Sequence, residues 1–463
     1  MIRERSKKLR NKFKTGFSLI RNLLSSIVIS IGLRFGCSPL VAVGWRLAMR
    51  VSCEVQAKSY GREKLVVLSK SGGVEDIEAA YKQSKARYNV IFLPRKVIKQ
   101  SGKHWLHDYV TDNSYHSQDG EVEAAKMAYR RHLKSVLIWF KRLFGLSAIV
   151  QFNVIYWAER ELAAACSDIG VRYVAAHKEC MWSPSSLASQ TAFYSRVVGS
   201  FPGHGISVYS STFKDVFVES GLVKKTAVFV TGCARLDESH QLRLSVHPGK
   251  KKVVLFYLIQ TSAGLPKPMY NDSADLLGGP YLGDGSVADW SETAGKVNKA
   301  VMSLATKNPD VQFICKGKTG FADNQLGQLK EAAGCSSLPH NVELIAGGVG
   351  HKLLAGASVV IGFNTTAVLE AMAAGVPVIV PHIFSEREKK IAGYAHEVDE
   401  GALVPTTTDQ LKSMILEVLE TGHRYKELTQ GQKNVLDRLL GNSDGKAGER
   451  LRAFLDKAVY NEL

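Results

Sequence analysis

At 463 residues, with 45% of them hydrophobic, the chain has material for two or three buried cores, which excludes a disordered polymer. Its 60 Lys and Arg outnumber 43 Asp and Glu, a formal charge of +17. That favours an anionic partner without choosing among acidic lipid, nucleotide, polysaccharide and nucleic acid. Seven scattered cysteines without a CxxC pair indicate neither a disulfide framework nor a zinc ribbon, and fit a reducing cytosol.

The chain opens with Arg3, Arg5, Lys7, Lys8, Arg10, Lys12 and Lys14 against one acid, Glu4, followed by the apolar run Leu23 to Leu33. That run has no small-residue cleavage site, and Arg21 and Arg34 bound it short of the ~20 apolar residues that a membrane span requires. Residues 1–45 therefore read as a basic, apolar segment lying on an anionic membrane surface. Phe17, Leu19, Leu23, Leu24, Ile27 and Ile29 are expected in the acyl boundary. A surface helix packed on the body is the alternative. On the membrane reading the expected location is cytoplasmic, peripheral on the inner face of the cytoplasmic membrane.

Residues 46–245 read as the first domain. Strand Leu65 to Leu68, a glycine turn, helix Val74 to Ala86 and strand Val90 to Leu93 begin a parallel sheet. The turn Ser69 to Gly73 lacks Walker spacing and reads as an ordinary βα connection. Lys96 to Val150 carries aromatic and basic residues (His104, Trp105, His107, Tyr109) and a helix from Glu121 to Phe144, facing either an acceptor or a membrane. Strand Val171 to Ala176 then runs into His177, Lys178 and Glu179, at the carboxyl edge where α/β sheets place ligands. Glu179 is the candidate general base on an acceptor hydroxyl, with His177 or Lys178 meeting a phosphate or carboxylate. Solvated loop charges are the alternative. Asp215 and Asp237 compete for the role of base, and Arg235 with Asp237 also reads as a structural clamp at the domain junction. Arg243 to Lys252, with Pro248 and Gly249, reads as the linker.

Residues 246–463 read as the second domain. A buried strand from Lys252 to Ile259 leads into Gln260 to Trp290, a Gly-, Pro- and aromatic-rich stretch of the kind that closes over ligands. Tyr270, Tyr281 or Trp290 is expected to stack on a ring. Strand Val311 to Cys315 ends in Lys316-Gly317-Lys318, where ammonium groups suit phosphate. Gly347, Gly348 and Gly350 do not form a dinucleotide fingerprint, so no cofactor is expected. The most informative run is Ser358 to Pro381, which reads as strand, tight turn, helix, glycine and strand. Gly362 makes the turn, and Asn364, Thr365 and Thr366 cap a helix whose unpaired N–H groups favour an anion. Glu370 lies one turn further in, where a carboxylate suits two ribose hydroxyls. An ordinary βα turn with a solvated Glu370 is the alternative. The last sixty or so residues read as helical.

The run Gly362 to Pro381 resembles the carboxyl-terminal half of GT-B glycosyltransferases. Thr231, Gly232, Arg235 and Asp237 resemble the TG-x-x-R-x-D turn that ends the first domain of capsule-polysaccharide and polyol-phosphate transferases. The Asp444-Gly445 turn before the last helix resembles them too. The resemblance spans roughly Ala148 to the carboxyl end. It implies a GT-B-like α/β fold, with two Rossmann-like parallel-sheet domains facing a cleft and the donor on the second. Lys316 and Lys318 stand where many relatives carry a His-Pro pair, which leaves the leaving-group contacts to ammonium groups. With no Asp-x-Asp dyad, metal independence is expected. The implied activity is transfer of a sugar, Kdo from CMP-Kdo among the candidates, from a nucleotide-activated donor to a cell-surface polysaccharide or glycolipid acceptor. The alternatives are a CDP-alcohol polyol-phosphate transferase and a noncatalytic binder of anionic surfaces. A nonhydrolysing epimerase is a fold-mate whose run of catalytic acids and a histidine is not apparent here. No aromatic RNA-binding motif is present, so nucleic acid is not an expected partner.

Overall fold

The computed structural model describes residues 19–51, 63–82, 87–106, 110, 115–116, 119–245, 251–265, 289–318, 322–347 and 350–463. The basic run before residue 19, Phe17, His107, Tyr109, the centre of the linker, Tyr270 and Tyr281 lie outside them.

Helix α1 covers residues 19–34 and α2 Ser38–Ala48. Then come β1 Arg50–Val51, β2 Lys64–Ser69, α3 Gly73–Lys82, β3 Asn89–Pro94, α4 Arg95–Leu106, α5 Gly120–Phe144 and β4 Ala148–Gln151. The first domain continues through α6 Trp157–Asp168, β5 Arg172–Ala176, α7 Pro184–Phe193, β6 Gly205–Val208, α8 Ser211–Glu219, β7 Val228–Val230 and α9 Asp237–Ser245. Its strands form a seven-stranded sheet in the order β1-β3-β2-β4-β5-β6-β7. All pairs are parallel except β1 with β3. Helices cover both faces, so β2 needs apolar residues at every interior position, and Leu65 to Leu68 are buried throughout.

The second domain runs β8 Val253–Tyr257, α10 Ser291–Lys307, β9 Gln312–Gly317, α11 Ala322–Ala333, β10 Val342–Ala346, α12 His351–Leu354, β11 Val359–Ile361, α13 Thr366–Ala373 and β12 Val378–Ile379. Helices α14 Glu386–Lys389, α15 Thr408–Thr421, α16 Gln430–Leu440 and α17 Ala447–Tyr460 complete it in sequence. Its sheet is wholly parallel, in the order β10-β9-β8-β11-β12.

In space α17 leaves that domain. Leu451, Phe454, Leu455, Ala458 and Val459 share a core with Leu65, Val67, Ile77 and Val150, on the face of the first sheet that α3 also covers. Gly232 makes the crossing possible. Its φ of 80° is left-handed, and a Cβ there would collide with the Gly441 carbonyl.

Two expectations are corrected by packing. Ile29, expected among lipids, is fully buried between α1 and α2, where Gly44 leaves room for it. Trp290, expected to stack on a ligand, is fully buried. Its indole donates to the Ala263 carbonyl at 2.8 Å and its ring packs on Phe363 and Phe384.

Candidate functional site

Each sheet reverses its strand order once. In the first the chain steps from β2 out to β3, then returns to the other side of β2 as β4; in the second it runs β8, β9, β10 and then returns beside β8 as β11. Beyond the carboxyl ends of such a pair the two connections diverge and leave a crevice. Most of the sequence-derived candidates gather at these two reversals; His177 and Asp237 do not.

In the second domain, β11 ends at Gly362, where a Cβ would lie 2.9 Å from Val368 and 3.2 Å from Thr365. Asn364 follows with φ 47°, a left-handed conformation that asparagine tolerates better than most residues. Contrary to the expectation of a cap, its side chain ties three loops together. Nδ2 donates to the carbonyls of Ala263 (3.1 Å) and Tyr394 (3.0 Å), and Oδ1 accepts from His396 N at 3.0 Å. The cap is Thr365, whose Oγ1 accepts from Ala367 N at 3.4 Å. Thr366 is the first residue of α13.

Glu370, half-buried on α13, acts electrostatically on Tyr257 at the end of β8 and on Cys233 and Arg235 of the first domain. Burial, then the Glu370 charge, pushes the Tyr257 hydroxyl above its ordinary range. Lys316 stands beside Tyr257 in register, donates to the Gly317 carbonyl at 3.1 Å, and has its ammonium pKa lowered by burial. Lys318 is exposed.

In the first domain, Glu179 is 46% exposed, with Oε1 3.6 Å from the ammonium groups of both Lys70 and Lys178. Burial pushes its carboxyl up. Lys178 and Lys70 outweigh that and hold it below the usual carboxylate range. Lys178 is anchored by donating to the Ser71 carbonyl at 2.7 Å, and Lys70 lies 3.9 Å over the Tyr156 ring, which Arg95 also approaches at 4.0 Å.

The other two first-domain candidates sit elsewhere. His177 is 1% exposed, packed against Phe213 and Phe217; burial draws its pKa down to about 4. Asp237 is occupied by the α17 junction, accepting from Asn442 Nδ2 (2.7 Å), Ala447 N (3.1 Å) and Gly448 N (2.8 Å). Arg235 does not pair with Asp237 but with Asp76 of α3, at 2.9 Å, and donates to the Tyr209 hydroxyl at 2.8 Å. Burial works against the Arg235 charge; Asp76, and more weakly Glu370, keep it protonated.

Lys70, Tyr156 and Asp76 were missed in the sequence. Lys70 was visible in the turn after β2, which lacks phosphate-loop spacing. Asp76 carried no local signal, because its partner is 159 positions away. Between the domains, Cys180, Trp182, Ser210 and Phe213 line a small cavity with Glu397 and Arg438. Among the described residues, no group of three His, Cys, Asp or Glu side chains is placed to hold a metal.

The architecture is thus GT-B-like, with two Rossmann-like parallel-sheet domains, each carrying one strand-order reversal. No family model and no curated protein matches the chain. Among solved structures it is similar to a glycosyltransferase from Rickettsia africae ESF-5, at 12% identity over 87% of this chain and 100% of that one, with a TM-score of 0.49. It is similar to UDP-GlcNAc 2-epimerase from Neisseria meningitidis bound to UDP-GlcNAc, at 12% identity over 86% and 100% of the two chains, with a TM-score of 0.46. It is also similar to the wall teichoic acid polymerase TagF, at 9% identity over 96% and 99%, with a TM-score of 0.47.

Proposed function

We propose that the protein is a glycosyltransferase that moves a sugar from a nucleotide-activated donor on its second domain to a cell-surface polysaccharide or glycolipid acceptor on its first. The observation that carries this reading is the presence of one strand-order reversal in each sheet, with α9 of the first domain packed on α13, the helix that bears Glu370. In this reading the α13 amino end, with Thr365 and Thr366, receives the donor phosphates, Glu370 takes the ribose hydroxyls, and Lys316 and Lys318 meet the leaving group's charge. Gly362 lets the phosphate approach the backbone, and Asn364 holds the surrounding loops in place.

Glu179 serves as the base on the acceptor hydroxyl. Its lowered pKa keeps it ionised at neutral pH, at the cost of some basicity. His177 and Asp237 have core and junction roles. Charge on the donor is met without a metal, and no organic cofactor takes part. An acidic sugar on a cytidine nucleotide, Kdo included, suits the net charge of +17. The enzyme works on the anionic inner face of the cytoplasmic membrane.

The test is a transfer assay with a panel of sugar nucleotides. Glu179→Gln should abolish transfer and leave nucleotide affinity within about twofold, because the carboxylate acts on the acceptor and not on the donor. Full activity in that variant contradicts the assignment.

A further inference from the structure

Helix α1 seats its small and polar residues on the body and turns its large apolar ones outward. Ser25 is buried and its hydroxyl donates to the Gly44 carbonyl at 2.8 Å. Gln100 of α4 donates to the Ser26 carbonyl at 3.0 Å and to Ser30 Oγ at 2.9 Å. Gly32 meets Val41 so closely that a Cβ would lie 2.8 Å from its methyl carbon, and Ile29 and Leu33 are buried beside it. On the opposite side Ile20, Leu23, Leu24, Ile27, Ile31 and Phe35 are 44% to 74% exposed. At 100° per residue the five within the helix, Ile20 to Ile31, fall within an arc of about 100°, one stripe that Arg34 closes at the carboxyl end. A helix on a water-soluble surface has the reverse polarity.

We propose that α1 is a rigid docking face for an anionic lipid bilayer, built into the first domain rather than hung from it. This rests on the membrane reading above and is independent of the transfer reading. The occupant is argued from charge and length. The stripe is preceded in the chain by the seven cations of residues 3–14 against the single acid Glu4, and Arg21 and Arg34 stand near its two ends. Acidic headgroups would meet those cations while the stripe enters the acyl boundary. No helix among the described residues is long and apolar enough to cross a membrane, so the contact is interfacial. A second copy of the chain would bring its own basic segment and its +17 charge against the same face, which opposes self-pairing.

The experiment is co-sedimentation of the full chain with phosphatidylglycerol-containing and pure phosphatidylcholine vesicles, beside the variant Leu23→Gln/Ile27→Gln/Ile31→Gln. We expect wild type to partition onto the anionic vesicles and the variant to lose about tenfold or more in partitioning, with its unfolding temperature unchanged. Removing residues 1–34 should instead lower the unfolding temperature, because Ile29 and Leu33 leave the core. Undiminished binding by the triple variant would show that the basic residues act alone, overturning the docking face and leaving membrane attachment intact. No binding by wild type would overturn both. A dimer in vesicle-free solution that the variant abolishes would reassign the stripe to an interface between copies.

Discussion

Glu179 holds its place through two lysines rather than through a cap or a helix. With Lys70 and Lys178 both 3.6 Å from Oε1, the folded carboxyl titrates below its unfolded value. Its contribution to stability is therefore present above the unfolded pKa and is lost as pH falls through the folded one. The same shift sets the acid limb of activity if Glu179 is the base. Lys70→Met should move that limb of kcat/KM to higher pH, while nucleotide affinity stays within about twofold. An unmoved limb would remove Lys70 from the site. His177 shows where residue-level reading of the sequence stops. Its position at the end of β5 was legible, but the alternation that turns it toward Phe213 and Phe217 rather than toward solvent depends on helices packed from elsewhere. Asn364 stops short for another reason, since asparagine suits both a helix cap and a left-handed turn and only the second is realised.

At the scale of elements, the strands were the most readable part. A parallel sheet covered on both faces requires unbroken apolar runs, and β2, β3, β8 and β11 each announce themselves that way. The amphipathic pattern of α17 likewise reveals a buried face, but a pattern cannot say what that face is buried against. The structure sets it on the first domain, locked by the three hydrogen bonds that Asp237 accepts. Asp237→Ala leaves Asn442 Nδ2 and two backbone N–H groups without that acceptor in a buried setting. We expect a loss of about 2–4 kcal/mol in urea unfolding, with nucleotide affinity unchanged. A loss below about 0.5 kcal/mol would show that the apolar contacts of α17 hold the junction without it.

Over the whole molecule, α17 and α9 couple the domains from two separate points of the chain, its middle and its carboxyl-terminal helix. The carboxyl-terminal helix packs on the first sheet, while α9 leads out of the first domain and packs on α13, the helix that carries Glu370. Two such contacts tie the domains to each other at both reversals, as the proposed transfer between two bound substrates requires. The parallel sheets and the strand-turn-helix run from Val359 to Ala373 were legible in the sequence. The partners of Arg235, the tethering by α17 and the burial of Ile29 were not, because each depends on residues far apart in the chain or on the direction a helix faces.

The reading of the second domain as the donor domain is tested most directly by calorimetric titration of the full chain with CMP, CDP, UDP, GDP and ADP, repeated on Thr366→Ala and Glu370→Gln. Thermal unfolding at about 100 Kd of ligand should accompany it, where binding to the folded state alone adds about 2.7 kcal/mol. We expect one nucleotide to bind and stabilise wild type, with its affinity reduced about tenfold or more in both variants. Binding that neither variant weakens, or no binding by any of the five, would contradict a donor site at the start of α13.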